Sequence, residues 1–316
     1  MAKGHLVFGL ITALLMILLP TVAFLGEQPI SQTVALPQNS LEQPASSAVQ
    51  VLRTHTGKVE EYSLEDYLFG VVAAEMPMSY EDEALKAQCV AAHTLYEYKK
   101  NQGETQISDD SATHQAFITK EVARAKWGEK AGEYEERLTR LVSQVAGEVV
   151  LFENAPALTV YHAMSSGRTE SAKTAWGEEI PYLVPAESVG DVLAGGYISQ
   201  KSLSKTEFLQ GLSLSEGVQG EQPLGEITRS ESGTVEKIAL FGKEFTGGEI
   251  RSAFSLRSAN FDVEMGEERV TFTVRGYGHG VGMSQFGANT MAKQGSDYKE
   301  ILEWYYKGCT VETIKN

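Results

Sequence analysis

The sequence predicts a mixed α+β fold, and three observations point that way. Apolar residues recur at helical spacing over Leu64–Glu75 and, more densely, along the Ala-rich stretch that runs to Lys100. Period-two alternation, as in Val270, Phe272 and Val274, marks short strands. With 316 residues, 42% hydrophobic and 22% charged, the chain has apolar material enough to pack both kinds of element around a sizeable core.

Residues 1–25 read as a transmembrane anchor. The run LVFGLITALLMILLPTVAFL, residues 6–25, carries no charge and follows Lys3. About 20 such residues cross a hydrocarbon core. The apolar part of a cleaved signal is usually shorter, about 7–15 residues, which favours an uncleaved anchor, although Thr21-Val22-Ala23 would permit cleavage. Either way the remainder is exported, with Lys3 on the cytoplasmic flank. Residues 26–48, rich in Gln, Pro, Ser and Ala without periodicity, read as a flexible linker to a domain spanning 49–316.

That domain opens with VQVLRTHTGKVEEY, two short strands about a His55-Thr56-Gly57 turn. Ser63 caps the next helix, with Glu65 and Asp66 in its first turn and Leu64, Tyr67, Leu68, Val71 and Val72 forming one stripe. The next position on that stripe is Glu75. Pro77 biases Met76 out of the helical region, so the helix ends there. Desolvation and the negative end of the helix dipole both favour the protonated carboxyl, which makes Glu75 a candidate general acid.

Ser79 and Asp82 resemble a capping box for a central helix to about Lys100, small or apolar on nearly every side. Charge-dense Glu121–Val145 reads as one or two surface helices. Val149–Phe152 and Leu158–Ala163 read as a hairpin across Asn154-Ala155-Pro156, emptying into a loop with Ser165, Ser166, Gly167 and Thr169. A smaller module is expected near 190–265, with a short helix at Lys205–Leu212, a strand at Val235–Phe241, a Gly247-Gly248 turn leading into a helix, and a strand at Phe261–Glu264. After the strand at 270–274 comes RGYGHGVGMSQFG, a glycine-rich loop presenting Tyr277, His279, Ser284 and Gln285, suited to hydrogen bonding and stacking on a sugar or peptide. Ser284 caps a helix to about Gln294, and Tyr298–Tyr305 forms a last amphipathic helix.

A formal net charge of −15 without any Lys/Arg cluster argues against nucleic acid as a partner. The glycine spacing misses the dinucleotide fingerprint, and GMSQFG misses the nucleophile elbow by one residue. A Ser/His hydrolase built from Ser165 or Ser284 with His279 lacks a marked orienting acid and oxyanion hole. Cys89 and His93 stand one helical turn apart, but no CxxC or HExxH accompanies them, so neither metal nor cofactor is expected.

Three blocks carry a family likeness: YLFGVVAAEMPMSYEDEALKAQCVAAHTLY, YHAMSSGRTESAKTAWGEEIPYL and GYGHGVGMSQFGANTMAKQGSDYKEILEWYYKG. In these the chain resembles the stage II sporulation protein D family, membrane-anchored lytic transglycosylases of endospore-forming bacteria. The resemblance implies that the catalytic acid of the AEMP block falls on Glu75. It also implies that His162, Ser165, Gly167, Thr169 and Tyr182, with His279, Ser284 and Gln285, line a glycan groove. Cys89–His93 stands where the family has Ala-Val-Ala-Ala-Arg, and Ser166 where it has a second Gly. Some relatives bind zinc, but this chain shows no matching cysteine set.

The family further implies cleavage between N-acetylmuramic acid and N-acetylglucosamine, on strands stripped of stem peptides by a partner amidase, the stage II sporulation protein P, during engulfment of the forespore. Glu81, Asp82 and Glu83, just past Pro77, read as helix-start residues rather than a second catalytic carboxylate. A single-carboxylate route to a 1,6-anhydro product is therefore expected. The rival reading is a non-catalytic wall-binding module that activates an amidase.

Overall fold

The computed structural model describes residues 48–214 and 223–314. The expected anchor and the linker as far as residue 47 lie outside the described residues. Among those described, no helix is long and apolar enough to cross a membrane. The architecture is mixed α+β.

Strands β1 (Val49–Arg53) and β2 (Lys58–Tyr62) pair antiparallel across the expected turn, and β3 (Ile107–Ser108) joins β1 in parallel. Helix α1 (Leu64–Glu75) starts with the Ser63 hydroxyl accepting the Asp66 N–H and stops where Met76 is extended ahead of Pro77. Helix α2 (Asp82–Asn101) is buried continuously from Ala87 to Leu95, because its small side chains let α1 and later elements close on it from several sides.

The start of α2 departs from the capping box expected at Ser79 and Asp82. Glu81 occupies the cap without a side-chain bond. The segment is pinned instead by Arg137, which donates to the carbonyls of Met78 and Tyr80 and to Asp82, and by Asn289, whose Oδ1 accepts the Glu81 N–H at 2.9 Å. Arg137 lies on α4 (Ala131–Val145), which with α3 (Lys120–Trp127) forms the charged surface pair. Leu138, Leu141, Val142 and Val145 face inward.

The expected hairpin at 149–163 is shorter than the sequence suggested. Glu153 and Asn154 take positive φ (50° and 65°), so they form a two-residue turn between β4 (Glu148–Phe152) and β5 (Ala155–Pro156). The chain then leaves the sheet. Its next strand, β6 (Tyr161–His162), belongs to a different pairing, and α5 (Ala172–Trp176) follows.

A second hydrophobic core gathers Phe208, Ile238, Ile250, Phe254, Phe261 and Phe272, separate from the large core around α1 and α2. It is framed by β7 (Ile198–Ser204), α6 (Lys205–Gly211), β8 (Leu224–Arg229), β9 (Val235–Leu240), β10 (Lys243–Thr246), α7 (Gly247–Ala253), β11 (Phe261–Met265) and β12 (Arg269–Arg275). Two three-stranded sheets result, in the orders β11-β12-β7 and β10-β9-β8. Gly247 and Gly248 are the first residues of α7 rather than a turn before it. A Cβ on Gly247 would meet the Val235 carbonyl at 2.1 Å, so only glycine lets α7 start against β9.

The C-terminal elements return to the large core. β13 (Met283–Ser284) pairs in parallel with β6, α8 (Gln285–Lys293) and α9 (Tyr298–Tyr305) pack on α2, and β14 (Thr310–Thr313) pairs with β4.

Candidate active site

Glu75, in the last turn of α1, opens into a cavity of about 1050 Å³. Its Oε1 accepts the Ala116 N–H at 3.0 Å. Burial raises its pKa above the ordinary 4.5, while the Ala116 N–H, the Gln285 amide and the charge of Lys126 oppose the rise. Lys126 Nζ donates to the Ala73 carbonyl at 2.9 Å, which puts a cation on the C-terminus of α1. That cation opposes the negative helix end on which the sequence reading drew. Desolvation is the largest influence on this carboxyl and the one that raises its pKa.

Around the same cavity stand His162 from β6, Tyr277 and His279 from the glycine loop, and Gln285 at the start of α8. His162 Nδ1 donates to the Val281 carbonyl at 3.0 Å. Its Nε2 is buried and has no partner among the described residues. Burial first, then the neighbouring His279, lowers the His162 pKa to about 3. His279 Nδ1 accepts the Val281 N–H at 3.1 Å, and burial followed by the charge of Arg251 brings its pKa down to about 4. Both rings are therefore neutral at physiological pH. They lie 5.7 Å apart, centroid to centroid, and Trp176 stands 5.4 Å from His279.

Beneath the cavity runs a polar network. Gln285 Nε2 donates to Gln88 Oε1 at 3.2 Å. The Tyr161 hydroxyl donates to Gln115 Oε1 at 2.9 Å, and the Gln115 amide donates to the Tyr67 hydroxyl and the Ala92 carbonyl. Buried amides tied in this way hold the cavity floor in one arrangement. On the rim, Trp176 and Tyr277 are 44% and 48% exposed, Trp176 packing against His279 and Tyr277 carrying the Arg257 guanidinium 4.2 Å from its ring centroid, so each ring is part-covered and part-open to a ligand.

A model of the family described as "Stage II sporulation protein" matches residues 53–152, the part that carries Glu75. Stage II sporulation protein D of Bacillus amyloliquefaciens is 36% identical over 279 residues, 85% of this chain and 79% of that protein. Its counterpart in Bacillus subtilis (strain 168) is 34% identical over 271 residues, 84% and 78% of the two chains. The chain belongs to the stage II sporulation protein D family. The amidase enhancer of Bacillus subtilis (strain 168) is 27% identical over 297 residues, and the match takes in 77% of this chain but 40% of that protein.

In this stage II sporulation protein D family member, the residues expected in the groove divide into two groups. Glu75, His162, Tyr277, His279 and Gln285 share the cavity, whereas Ser165, Gly167, Thr169, Tyr182 and Ser284 do not line it. The Ser165 N–H and hydroxyl both donate to Asp191 Oδ2, at 2.7 and 2.6 Å, and the Ser284 hydroxyl donates to Asp191 Oδ1 at 2.9 Å. Asp191 is fully buried, and burial raises its pKa. Gly167 donates to Ser165 Oγ, Thr169 Oγ1 accepts the Ala186 N–H, and the Tyr182 hydroxyl accepts the Leu158 N–H. These five brace the loops that present the cavity residues.

The glycine loop likewise packs closely on the protein's own chain. A Cβ on Gly278 would lie 2.5 Å from His162 Cβ, and one on Gly282 would lie 2.1 Å from the Val160 carbonyl. Among the described residues no group of three or more His, Cys, Asp or Glu is arranged to hold a metal. Cys89 and Cys309 are both free and buried.

Reading the sequence alone missed Trp176, Tyr161, Arg251 and Asp191. Asp191 left one faint trace, a lone acid among Val189, Val192 and Leu193 with no basic neighbour.

Proposed function

We propose that the protein is a peptidoglycan lytic transglycosylase acting in endospore formation, with Glu75 as its acid and base. One observation carries the reading: Glu75 is the only carboxylate lining the cavity among the described residues, and burial favours its protonated form. None of Glu81, Asp82 and Glu83 lines the cavity. The Glu81 N–H is held by Asn289, Asp82 pairs with Arg137, and Glu83 pairs with Lys86.

A two-carboxylate glycosidase needs a second acid about 5–9.5 Å from the first. With one carboxyl, Glu75 protonates the glycosidic oxygen between N-acetylmuramic acid and N-acetylglucosamine as the C1–O bond breaks. The resulting carboxylate takes the proton of the muramic acid C6 hydroxyl, whose oxygen closes on C1. The attacking oxygen is already held beside C1, so proximity does work that a second acid would otherwise do. The product is a 1,6-anhydro sugar, and no water is consumed.

In this reading residues 1–25 anchor the protein in the membrane, 26–48 form the linker, and 49–316 form the extracytoplasmic catalytic domain with a smaller module near 190–265. The substrate is glycan stripped of stem peptides by the stage II sporulation protein P, and the setting is engulfment. Digestion of peptide-free strands in ¹⁸O-labelled water tests the reading. Anhydro ends without label support it, and label at new muramic acid ends means hydrolysis. Glu75→Gln keeps the shape without the proton and should slow turnover by about 10²–10⁴-fold. Because the acid must be protonated to act, the wild-type rate should fall as pH rises through the elevated pKa of Glu75.

The similarity to an amidase enhancer favours a second reading, a wall-binding module that stimulates an amidase without cutting glycan. Unlabelled anhydro ends from the wild type, lost in Glu75→Gln, exclude it.

A further inference from the structure

Arg251 projects from α7, on the second core, into the wall of the cavity that holds Glu75. Every other arginine among the described residues has a hydrogen-bond or ion-pair partner; Arg53, for example, is held by Asp109, Arg257 by the Gly196 carbonyl and Arg168 by Glu187. Arg251 has none there. Its partial burial lowers its pKa, the mark of a cation that has lost water and gained no counter-charge. Its charge also reaches His162 and His279, depressing both pKa values.

The other fixed cation lining the cavity, Lys99, is occupied by Glu104 at 2.9 Å. The one lining carboxyl, Glu75, is pushed toward its neutral form. A chain of net charge −15 thus presents a cavity whose unbalanced charge is positive. A site of that kind is built to take an anion.

We propose that Arg251 receives the lactyl carboxylate of a muramic acid residue and so makes the cavity select glycan whose lactyl groups carry no peptide. The inference rests on the glycan reading above. On a peptide-free strand the lactyl carboxylate is the only ionised group of the repeating disaccharide. Attaching a stem peptide turns that carboxyl into a neutral amide. The planar guanidinium fork matches a carboxylate with two parallel hydrogen bonds and gains much less from an amide oxygen.

The experiment compares three substrates with the full-length protein in detergent: peptide-free strands, the same strands with lactyl carboxyls capped as methylamides, and strands still bearing stem peptides. The wild type should prefer free over capped carboxyls by about 10- to 100-fold in kcat/KM, the usual weight of a hydrogen-bonded charge. It should reject peptide-bearing strands similarly. Arg251→Gln should collapse the preference to within about threefold, chiefly through KM, and Arg251→Lys should restore part of it.

Equal wild-type cleavage of free and capped strands would overturn the inference while leaving the glycan reading intact, and needs no variant. An Arg251→Gln protein that slows on both substrates by one factor would also overturn it, since Arg251 would then only support the wall. Failure of the wild type to release anhydro ends from any of the three would defeat the glycan reading itself.

Discussion

Lowering the pH should destabilise the protein through His162 in a way that can be isolated. The ring is 4% exposed, gives its Nδ1 proton to the Val281 carbonyl, and has a buried Nε2 with no partner among the described residues. A second proton would sit at that Nε2, beside His279 and within the field of Arg251. The folded ring therefore stays neutral until about pH 3, whereas an unfolded histidine titrates near its ordinary 6.5. Between these values the unfolded chain binds a proton that the folded chain does not, so stability is complete above 6.5 and is lost as the pH falls toward 3.

Each pH unit in that window costs about 1.4 kcal/mol, so at about pH 4.5 the loss from His162 is about 3 kcal/mol. Urea unfolding of the wild type and of His162→Gln, at about pH 7 and about pH 4.5, measures it as a double difference in which other titrating groups largely cancel. The wild type should lose about 3 kcal/mol more than the variant between the two conditions. Equal losses would mean that His162 is not held neutral by burial, and the description of the cavity wall would be wrong.

Two further substitutions test the scaffold behind the cavity. Gly282→Ala places a Cβ 2.1 Å from the Val160 carbonyl at φ 70°, and strain plus overlap should cost about 2–4 kcal/mol in urea melts. A loss below about 1 kcal/mol would contradict the close packing of the loop on the chain before β6. Asp191→Ala leaves the Ser165 N–H and the hydroxyls of Ser165 and Ser284 without their acceptor and should cost about 3–5 kcal/mol, with Asp191→Asn losing less because it retains one oxygen. Similar melts for the two variants would show that the buried carboxylate is not what ties these segments together.

Much of the helical framework was legible because its signals are local. Ser63, the stripe to Val72 and the Met76-Pro77 break define α1 within 15 residues, and they deliver Glu75 to the cavity. The strands were harder to see. β7 and β8 are half-exposed and carry polar residues such as Lys201 and Glu226, so no apolar alternation marks them, and β6 is two residues long and exists only through its distant partner β13.

The site was half legible for the same reason. A carboxylate on an apolar stripe announces itself, and so do a tyrosine and a histidine among glycines. Ser165 and Ser284 looked equally suited to bind ligand, but whether a hydroxyl faces a cavity or a buried Asp191 depends on a residue 26 positions from one and 93 from the other. Spacing could not supply that. Nor could it supply Arg251, which owes its place to how the second core docks its α7 helix.

The parallel pairing of β6 with β13 also governs when the cavity can exist. Met283 and Ser284 reach back to Tyr161 and His162, Gln285 meets Gln88, and β14 closes on β4 only at residues 310–313. These closures span long loops, whose entropy must be overcome before any contact compensates it, so such contacts form late. A ribosome that has made the first two hundred residues has produced Glu75, α2 and much of the large core, yet no cavity. The floor network is completed only when Gln285 reaches Gln88, and β14 pairs with β4 later still. A chain that stops short of residue 251 therefore lacks the cavity wall that Arg251, Tyr277, His279 and Gln285 supply.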